Sequence, residues 1–171
     1  MKYLVMSDIH GVMDYALKID DIINYEKPDK IILLGDLYYH GVSNNYMNVV
    51  DILNKYSDII LCTRGNCDND VDESVSNFKF NDYIKLTINN KKYFFTHGHL
   101  YTINSIDDID VFIYGHLHTG FIKKEKNIIC VNTGSISLPR NNTKHSYVVI
   151  DNDTIILKDI NYNIIDSIKN E

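Results

Sequence analysis

Five times along this chain a short apolar run ends in a polar cluster beside a glycine, and that repetition limits what the chain can fold into. Lys2–Ser7 leads to Asp8-Ile9-His10-Gly11, and Lys30–Leu34 leads to Gly35-Asp36. Asp58–Cys62 is followed by Arg64-Gly65-Asn66-Cys67-Asp68, Lys91–Thr96 by His97-Gly98-His99, and Asp110–Tyr114 by Gly115-His116-Leu117-His118. Apolar runs this short, bounded by turn residues, predict buried strands. Between the first three, helical periods intervene. Val12, Ala16, Ile19 and Ile23 recur at helix spacing up to Pro28, and Val49, Val50, Ile52, Leu53 and Tyr56 mark a second helix that Ser43 or Asn44 can cap. Strand–helix–strand–helix–strand implies a parallel sheet with right-handed crossovers. Ligands in such sheets bind beyond the carboxyl ends of the strands, where each of these clusters is predicted to lie.

The second half is richer in β-structure. Tyr83–Ile88 and Lys91–Thr96 flank Asn89-Asn90, a pair that tolerates the positive φ of a tight hairpin turn. Two β segments are expected around Lys124–Asn127, then Asn132-Thr133-Gly134-Ser135, then strands near Ser146–Ile150 and Thr154–Ile160 about an Asp-Asn-Asp turn. No repeat or linker interrupts the 171 residues, so a single α/β domain spanning 1–171, with two packed sheets, is expected.

Composition narrows the function classes. A net charge of −6 gives no broad support to wrapping a nucleic-acid backbone, so no nucleic-acid partner is expected. No segment approaches membrane-spanning length, and Asp8 and His10 interrupt the apolar N-terminus too early for a signal peptide. Three cysteines without framework spacing favour a reducing compartment, and a cytoplasmic location is the expectation.

The clusters carry metal-ligand chemistry. Asp8 and His10 are two apart, so on an extended chain both side chains leave one face, and His116 and His118 repeat that spacing. Imidazole nitrogen with carboxylate and amide oxygen suits first-row divalent ions such as Mn, Fe, Co or Zn, whereas an all-oxygen Ca site would not use four histidines. Singly, each cluster has a plainer reading: Asp8 as a capping carboxylate, Asp36 as a loop start, Asn66 as a left-handed turn residue. Together they supply ligands for two ions.

The ordered set Asp8-x-His10, Gly35-Asp36, Gly65-Asn66, His97-Gly98 and Gly115-His116-x-His118 resembles the calcineurin-like metallophosphoesterase superfamily. Arg64-Gly65-Asn66-Cys67-Asp68, Thr96-His97-Gly98-His99 and Tyr114-Gly115-His116-x-His118 resemble its small bacterial YfcE-like phosphodiesterase branch, over Met1 to about Arg140. The resemblance implies a four-layer-type sandwich, two packed mixed sheets flanked by helices. It implies that Asp8, His10, Asp36 and His118 hold one ion, and that Asp36, Asn66, His97 and His116 hold the other, with Asp36 bridging. It further implies hydrolysis of small phosphodiesters through a metal-bridging hydroxide, with Asp36, Asn66 and His97 in the catalytic set, to which Cys67 is added as the candidate proton donor at the position after Asn66. Mn is favoured by resemblance, with Fe, Co, Ni and Zn as alternatives.

Cys67 departs from the pattern. Many superfamily members place a histidine after the ligand asparagine to protonate the leaving oxygen, and a thiol here shifts the expected substrates toward aryl or activated diesters. A small space-filling role for Cys67 is the alternative. Two other functions stay open: a non-catalytic metal-binding scaffold of the same fold, and a phosphomonoesterase, cyclic-nucleotide phosphodiesterase, nuclease or protein phosphatase of the superfamily. Retention of every expected ligand argues against the scaffold.

Of the remaining residues, Asp68 is read as either orienting a ligand or closing a turn. His99 is set against substrate, a neighbouring ligand or solvent, and Arg64 against a phosphate or a salt bridge. Tyr38-Tyr39 is placed in a pocket or the core, while His40 and His145 are expected to be exposed or locally bonded. Apolar residues on the late strands leave a homodimer open.

Overall fold

The computed structural model describes residues 1–38 and 46–170. Its first half alternates as expected: β1 (Lys2–Met6), α1 (Met13–Glu26), β2 (Lys30–Leu33), α2 (Met47–Asn54) and β3 (Ile60–Thr63), then α3 (Asp70–Val75) and β4 (Phe80–Asn81). The second half is β5 (Tyr83–Ile88), β6 (Lys91–Thr96), β7 (Val111–Tyr114), β8 (Phe121–Glu125), β9 (Ile128–Asn132), β10 (Ser146–Asp151), β11 (Thr154–Asp159) and β12 (Ile164–Lys169). Among the described residues these strands form two mixed sheets, ordered β12-β11-β10-β1-β2-β3-β4 and β5-β6-β7-β9-β8. β1, β2, β3 and β4 run parallel in the first sheet, and β6, β7 and β9 run parallel in the second.

Alternation along β1 assigns the two faces of the first sheet. Leu4 and Met6 pack with Ile19, Ile22, Ile23, Val49 and Leu53 of the helices. Tyr3 and Val5 face the other way and meet Ile84, Phe95, Ile113 and Val131 of the second sheet. Each sheet thus buries one face against the other. On the outer face of the second sheet, Phe94, Phe112 and Cys130 are covered by Tyr101, Ile103, Ile106 and Ile109. That fourth layer is a loop with one 3-10 turn, Ile103–Ser105, where a helix would otherwise lie.

Several boundaries move for local reasons. α1 ends at Glu26 because Lys27 turns left-handed (φ 48°) and donates its N–H to Ile23 O, just before Pro28. α2 begins at Met47, and Tyr46 at its N-cap makes no side-chain cap. Ser43 and Asn44, expected as caps, lie outside the described residues. Tyr56 falls beyond that helix, with its hydroxyl on Asp20 at 2.6 Å. Ser57–Ile59 forms a 3-10 turn, so β3 starts two residues later than expected. The Asn89-Asn90 hairpin closes with both φ positive, at 49° and 64°.

A buried ion network ties the helix layer to the sheet. Glu26 lies at the end of α1 with its side chain 1% exposed. It accepts from Lys2 Nζ at 2.8 Å, Lys158 Nζ at 2.7 Å and Tyr147 Oη at 2.8 Å. Burial pushes its pKa up, but these donors outweigh burial and hold it below the ordinary 4.5. A depressed carboxylate stabilises the fold above its unfolded pKa, and that contribution disappears as pH falls through the folded value. Removing one partner of a buried pair costs about 3–5 kcal/mol, and the part-exposed lysines place Glu26→Ala near about 3 kcal/mol. Urea denaturation at pH 7 and at pH 3 checks this: the deficit is expected at pH 7 and shrinks at pH 3. A loss below about 1 kcal/mol at pH 7 contradicts it.

Candidate metal centre

The loops after β1 and β2 run side by side. Asp8 N–H donates to Gly35 O at 3.1 Å, His10 N–H to Asp36 O at 2.9 Å, and Gly11 N–H to Leu37 O at 3.0 Å. The backbone in these loops is not extended. Asp8 (φ 55°), His10 (52°), Asp36 (53°), His116 (64°) and His118 (57°) all take left-handed conformations. Side chains two apart therefore converge through a sharply turned loop, which corrects the expectation of an extended Asp-x-His and His-x-His. Asp and His enter this region more readily than most residues, and clusters of such strain gather at functional sites. Asn66, by contrast, takes no positive φ, so its plainer reading as a left-handed turn residue is set aside.

Around Asp8, three atoms that can offer lone pairs converge. Asp8 Oδ2 accepts from Ser7 Oγ at 2.6 Å and from His116 N–H at 2.9 Å. Its other oxygen, Oδ1, is buried without a hydrogen-bond partner. That oxygen lies 3.1 Å from His118 Nε2 and 3.8 Å from His10 Nε2, while the two Nε2 atoms are 3.3 Å apart. His118 Nδ1 donates to Leu138 O at 2.7 Å, which leaves its Nε2 as an acceptor. Acceptors packed this closely require a cation or a proton between them, so the donor set fits a divalent metal.

A second convergence centres on His97, which is fully buried. Its Nδ1 donates to Leu34 O at 2.6 Å, and its Nε2 faces Asn66 Oδ1 at 3.0 Å, His116 Nδ1 at 3.2 Å and Asp36 Oδ2 at 3.4 Å. Asp36 Oδ2 also lies 3.8 Å from His10 Nε2. One carboxylate oxygen thus stands between both donor sets, while Asp36 Oδ1 is held by Cys67 N–H at 2.9 Å. Asp8, His10 and His118, and likewise Asp8, Asp36 and His97, bring ligand atoms within 4.8 Å of one another; His10, Asp36 and Cys67 form a third such group. All seven expected ligands meet here, Asn66 and His116 on the more exposed side.

Electrostatics follow this crowding. Burial pushes the Asp36 carboxyl up, but His97 and the Cys67 N–H outweigh it and hold the pKa well below the carboxylate range. Burial lowers the His97 and His118 pKa values, yet Asp36 acting on His97 and Asp8 acting on His118 raise both above 6.5. His116 falls below 6.5 through burial and the neighbouring His97. Burial, then Asp36, pushes the Cys67 thiol up to about 12, so uncompensated carboxylates make it a weak acid.

Support comes from residues the sequence reading weighed lightly or missed. Asp68 accepts from the backbone N–H of Asp36, Leu37 and Gly65 at 2.8, 3.0 and 2.7 Å, which stitches the β2 and β3 loops together. Ser7 was not singled out. Neither were Ser135 and Ser137, whose hydroxyls donate to Asp8 O at 2.6 and 3.1 Å, nor Asn132, whose Nδ2 donates to Gly115 O at 2.5 Å. The Asn132-Thr133-Gly134-Ser135 stretch was visible as a polar cluster after a strand, but serines carry no ligand signature. Gly115 has no room for a side chain, since an added Cβ would sit 1.9 Å from Ser7 Oγ.

Other candidates sort out plainly. Arg64 pairs with Asp70 and Glu73, a salt bridge that tethers α3. Tyr38 is core, bonded to Ser76 at 2.6 Å. His145 is locally bonded to Tyr15 and Ile136 O. His99 is exposed, its ring 5.3 Å from that of His97. Tyr39 and His40 lie outside the described residues.

Comparison with known proteins agrees with this geometry. A family model, the calcineurin-like phosphoesterase superfamily domain, matches residues 1–154. The phosphodiesterase YfcE of Escherichia coli K12 is 28% identical over 165 residues, covering 91% of this chain and 90% of its own length. The phosphodiesterase MJ0936 of Methanocaldococcus jannaschii is 27% identical over 146 residues, covering 78% of this chain and 83% of its own. A solved structure of YfcE, a phosphoesterase from E. coli, superposes with a TM-score of 0.92 at 28% identity, covering 100% of both chains.

Protons and cations compete for the same atoms. With His97 and His118 raised above 6.5, loading a divalent ion near neutral pH must expel protons, so affinity increases with pH until both rings are neutral. Calorimetric titration of the metal-stripped protein with Mn, in buffers of different ionisation enthalpy near pH 6.5, is expected to show proton release. Affinity unchanged between about pH 5.5 and pH 8 contradicts the assignment.

Proposed function

The chain belongs to the calcineurin-like phosphoesterase superfamily, and on that premise we propose that it is a metal-dependent phosphodiesterase acting on small phosphodiesters with two divalent ions. The reading rests most heavily on one oxygen, Asp36 Oδ2, which lies 3.8 Å from His10 Nε2 and 3.4 Å from His97 Nε2. A carboxylate so placed offsets the repulsion between two neighbouring cations. Asp8, His10, Asp36 and His118 would hold one ion, and Asp36, Asn66, His97 and His116 the other. Mn is favoured, with Fe, Co, Ni and Zn as alternatives that the nitrogen–oxygen donor set also accepts. Divalent ions in such sites polarise phosphoryl oxygens and acidify a bound water.

The chain's own residues position and orient. Ser7 and His116 N–H occupy Asp8 Oδ2 and so aim Oδ1 inward. Cys67 N–H does the same for Asp36, fixing which oxygen is shared. Leu34 and Leu138 carbonyls set the tautomers of His97 and His118, keeping their Nε2 lone pairs directed at the centre. Exposed Asn66 and half-buried His116 leave the second donor set open toward solvent, where a substrate would enter.

β12 pairs with β11 beyond the family match, in keeping with one domain over 1–171. No helix among the described residues is long and apolar enough to cross a membrane. The three free cysteines fit the reducing cytoplasm we assign. Complete convergence of the donors favours catalysis over a scaffold.

Asp36→Ala removes a donor shared by both sets. A drop of at least about a thousandfold in kcat/KM on an aryl phosphodiester is expected, together with loss of bound metal by elemental analysis. Two tightly retained ions contradict the shared-ligand assignment. Because position 67 carries a thiol where many superfamily members place a histidine to protonate the leaving oxygen, rates should depend steeply on the leaving group, with aryl diesters exceeding alkyl monoesters and Cys67→Ser changing kcat only a few-fold. Faster turnover of alkyl monoesters would sink that assignment.

A further inference from the structure

Beside the donor sets, on the outer face of the second sheet, lies a groove of about 230 Å³. We propose that this groove is a binding subsite for an uncharged, apolar ester arm of the phosphodiester, a proposal that rests on the phosphodiesterase reading. Two of its lining residues adjoin donors along the chain. Gly98 directly follows His97, and Leu117 sits between His116 and His118. Consecutive Cα atoms lie about 3.8 Å apart, so the groove opens within one residue of three donors.

The walls are apolar and partly aromatic. Tyr101, Ile103, Phe112 and Tyr114 line the groove, with Cys130 also contributing. Phe112 and Cys130 are 2% exposed and give it a fixed base. Tyr114 packs on Phe112 with ring centres 5.2 Å apart, and Tyr101 stands edge-on to Phe94 at 5.6 Å. Leu117 is 43% exposed and adds an apolar side chain to the rim. Lys123 and Glu125 also line the groove, but they pair with each other at 3.0 Å. Their charges cancel locally, so this part of the lining favours a neutral arm over a second phosphate or a carboxylate. Gly98 packs closely on Tyr114 in this lining: an added Cβ would sit 2.8 Å from Tyr114 Cδ2.

A one-armed ligand separates the groove from the metal site. Phenyl phosphate and methyl phosphate present the same anion to the ions but differ in what reaches the groove. Calorimetry on the Mn-loaded full chain is expected to show phenyl phosphate binding at least about tenfold more tightly. Ile103→Asp, which sets a charge in the apolar wall, should erase that preference while leaving methyl phosphate affinity within about twofold. Tyr101→Ala, a milder change in the same wall, should reduce it. Unchanged methyl phosphate binding reports that fold and metal site persist in each variant. Equal affinity of the native protein for both ligands overturns the subsite alone, as does a preference that survives both substitutions. If neither phosphate binds the loaded protein, the metal-site reading fails and the subsite with it.

Discussion

Lone pairs turned toward one another are unstable without something positive between them, and the ends of both sheets converge on such an arrangement. Asp8 Oδ1, His10 Nε2 and His118 Nε2 crowd within 3.8 Å, and Asp36 Oδ2, Asn66 Oδ1 and His116 Nδ1 all face His97 Nε2 within 3.4 Å. A core of hydrocarbon would gain nothing from this clustering, since buried polar atoms without partners are costly. The surrounding architecture holds the donors in place: two sheets packed face to face, with carboxyl ends of parallel strands from each directed to one edge.

Holding them requires unfavourable backbone. Five of the seven proposed ligands sit at positive φ, each a local cost of order 1–3 kcal/mol. The opposing terms are local hydrogen bonds. Asp68 gathers three backbone N–H groups across two loops, and Ser135 and Ser137 anchor the Asp8 carbonyl. The hydrophobic contact between Val5 and its partners in the second sheet fixes the distance over which those loops meet. Stability and site geometry are therefore coupled through the same few loops.

Much of this was legible in the residues. Short apolar runs located β1, β2, β3, β6 and β7, and the polar clusters after them named all seven proposed ligands, because ligand chemistry confines the choice to His, Asp and Asn. The hairpin at Asn89-Asn90 was legible because few residues accept its turn. Other parts were not. α3 has one exposed valine and an acidic sequence, so no apolar period announces it; a capping box of Asn69 and Asp72 starts it. β12 is mostly exposed, and its pairing with β11 comes from backbone bonds that leave no pattern in side chains. Left-handed loop geometry was also missed. Spacing of two reads the same whether the chain is extended or sharply turned, and only the neighbouring strands decide between them.

Anomalous diffraction from a crystal of the Mn-loaded protein tests the central claim most directly. Two peaks are predicted, one contacted by Asp8, His10 and His118 and one by Asn66, His97 and His116, with Asp36 Oδ2 bonded to both. A single peak away from Asp36, or two peaks that share no carboxylate, would contradict the account.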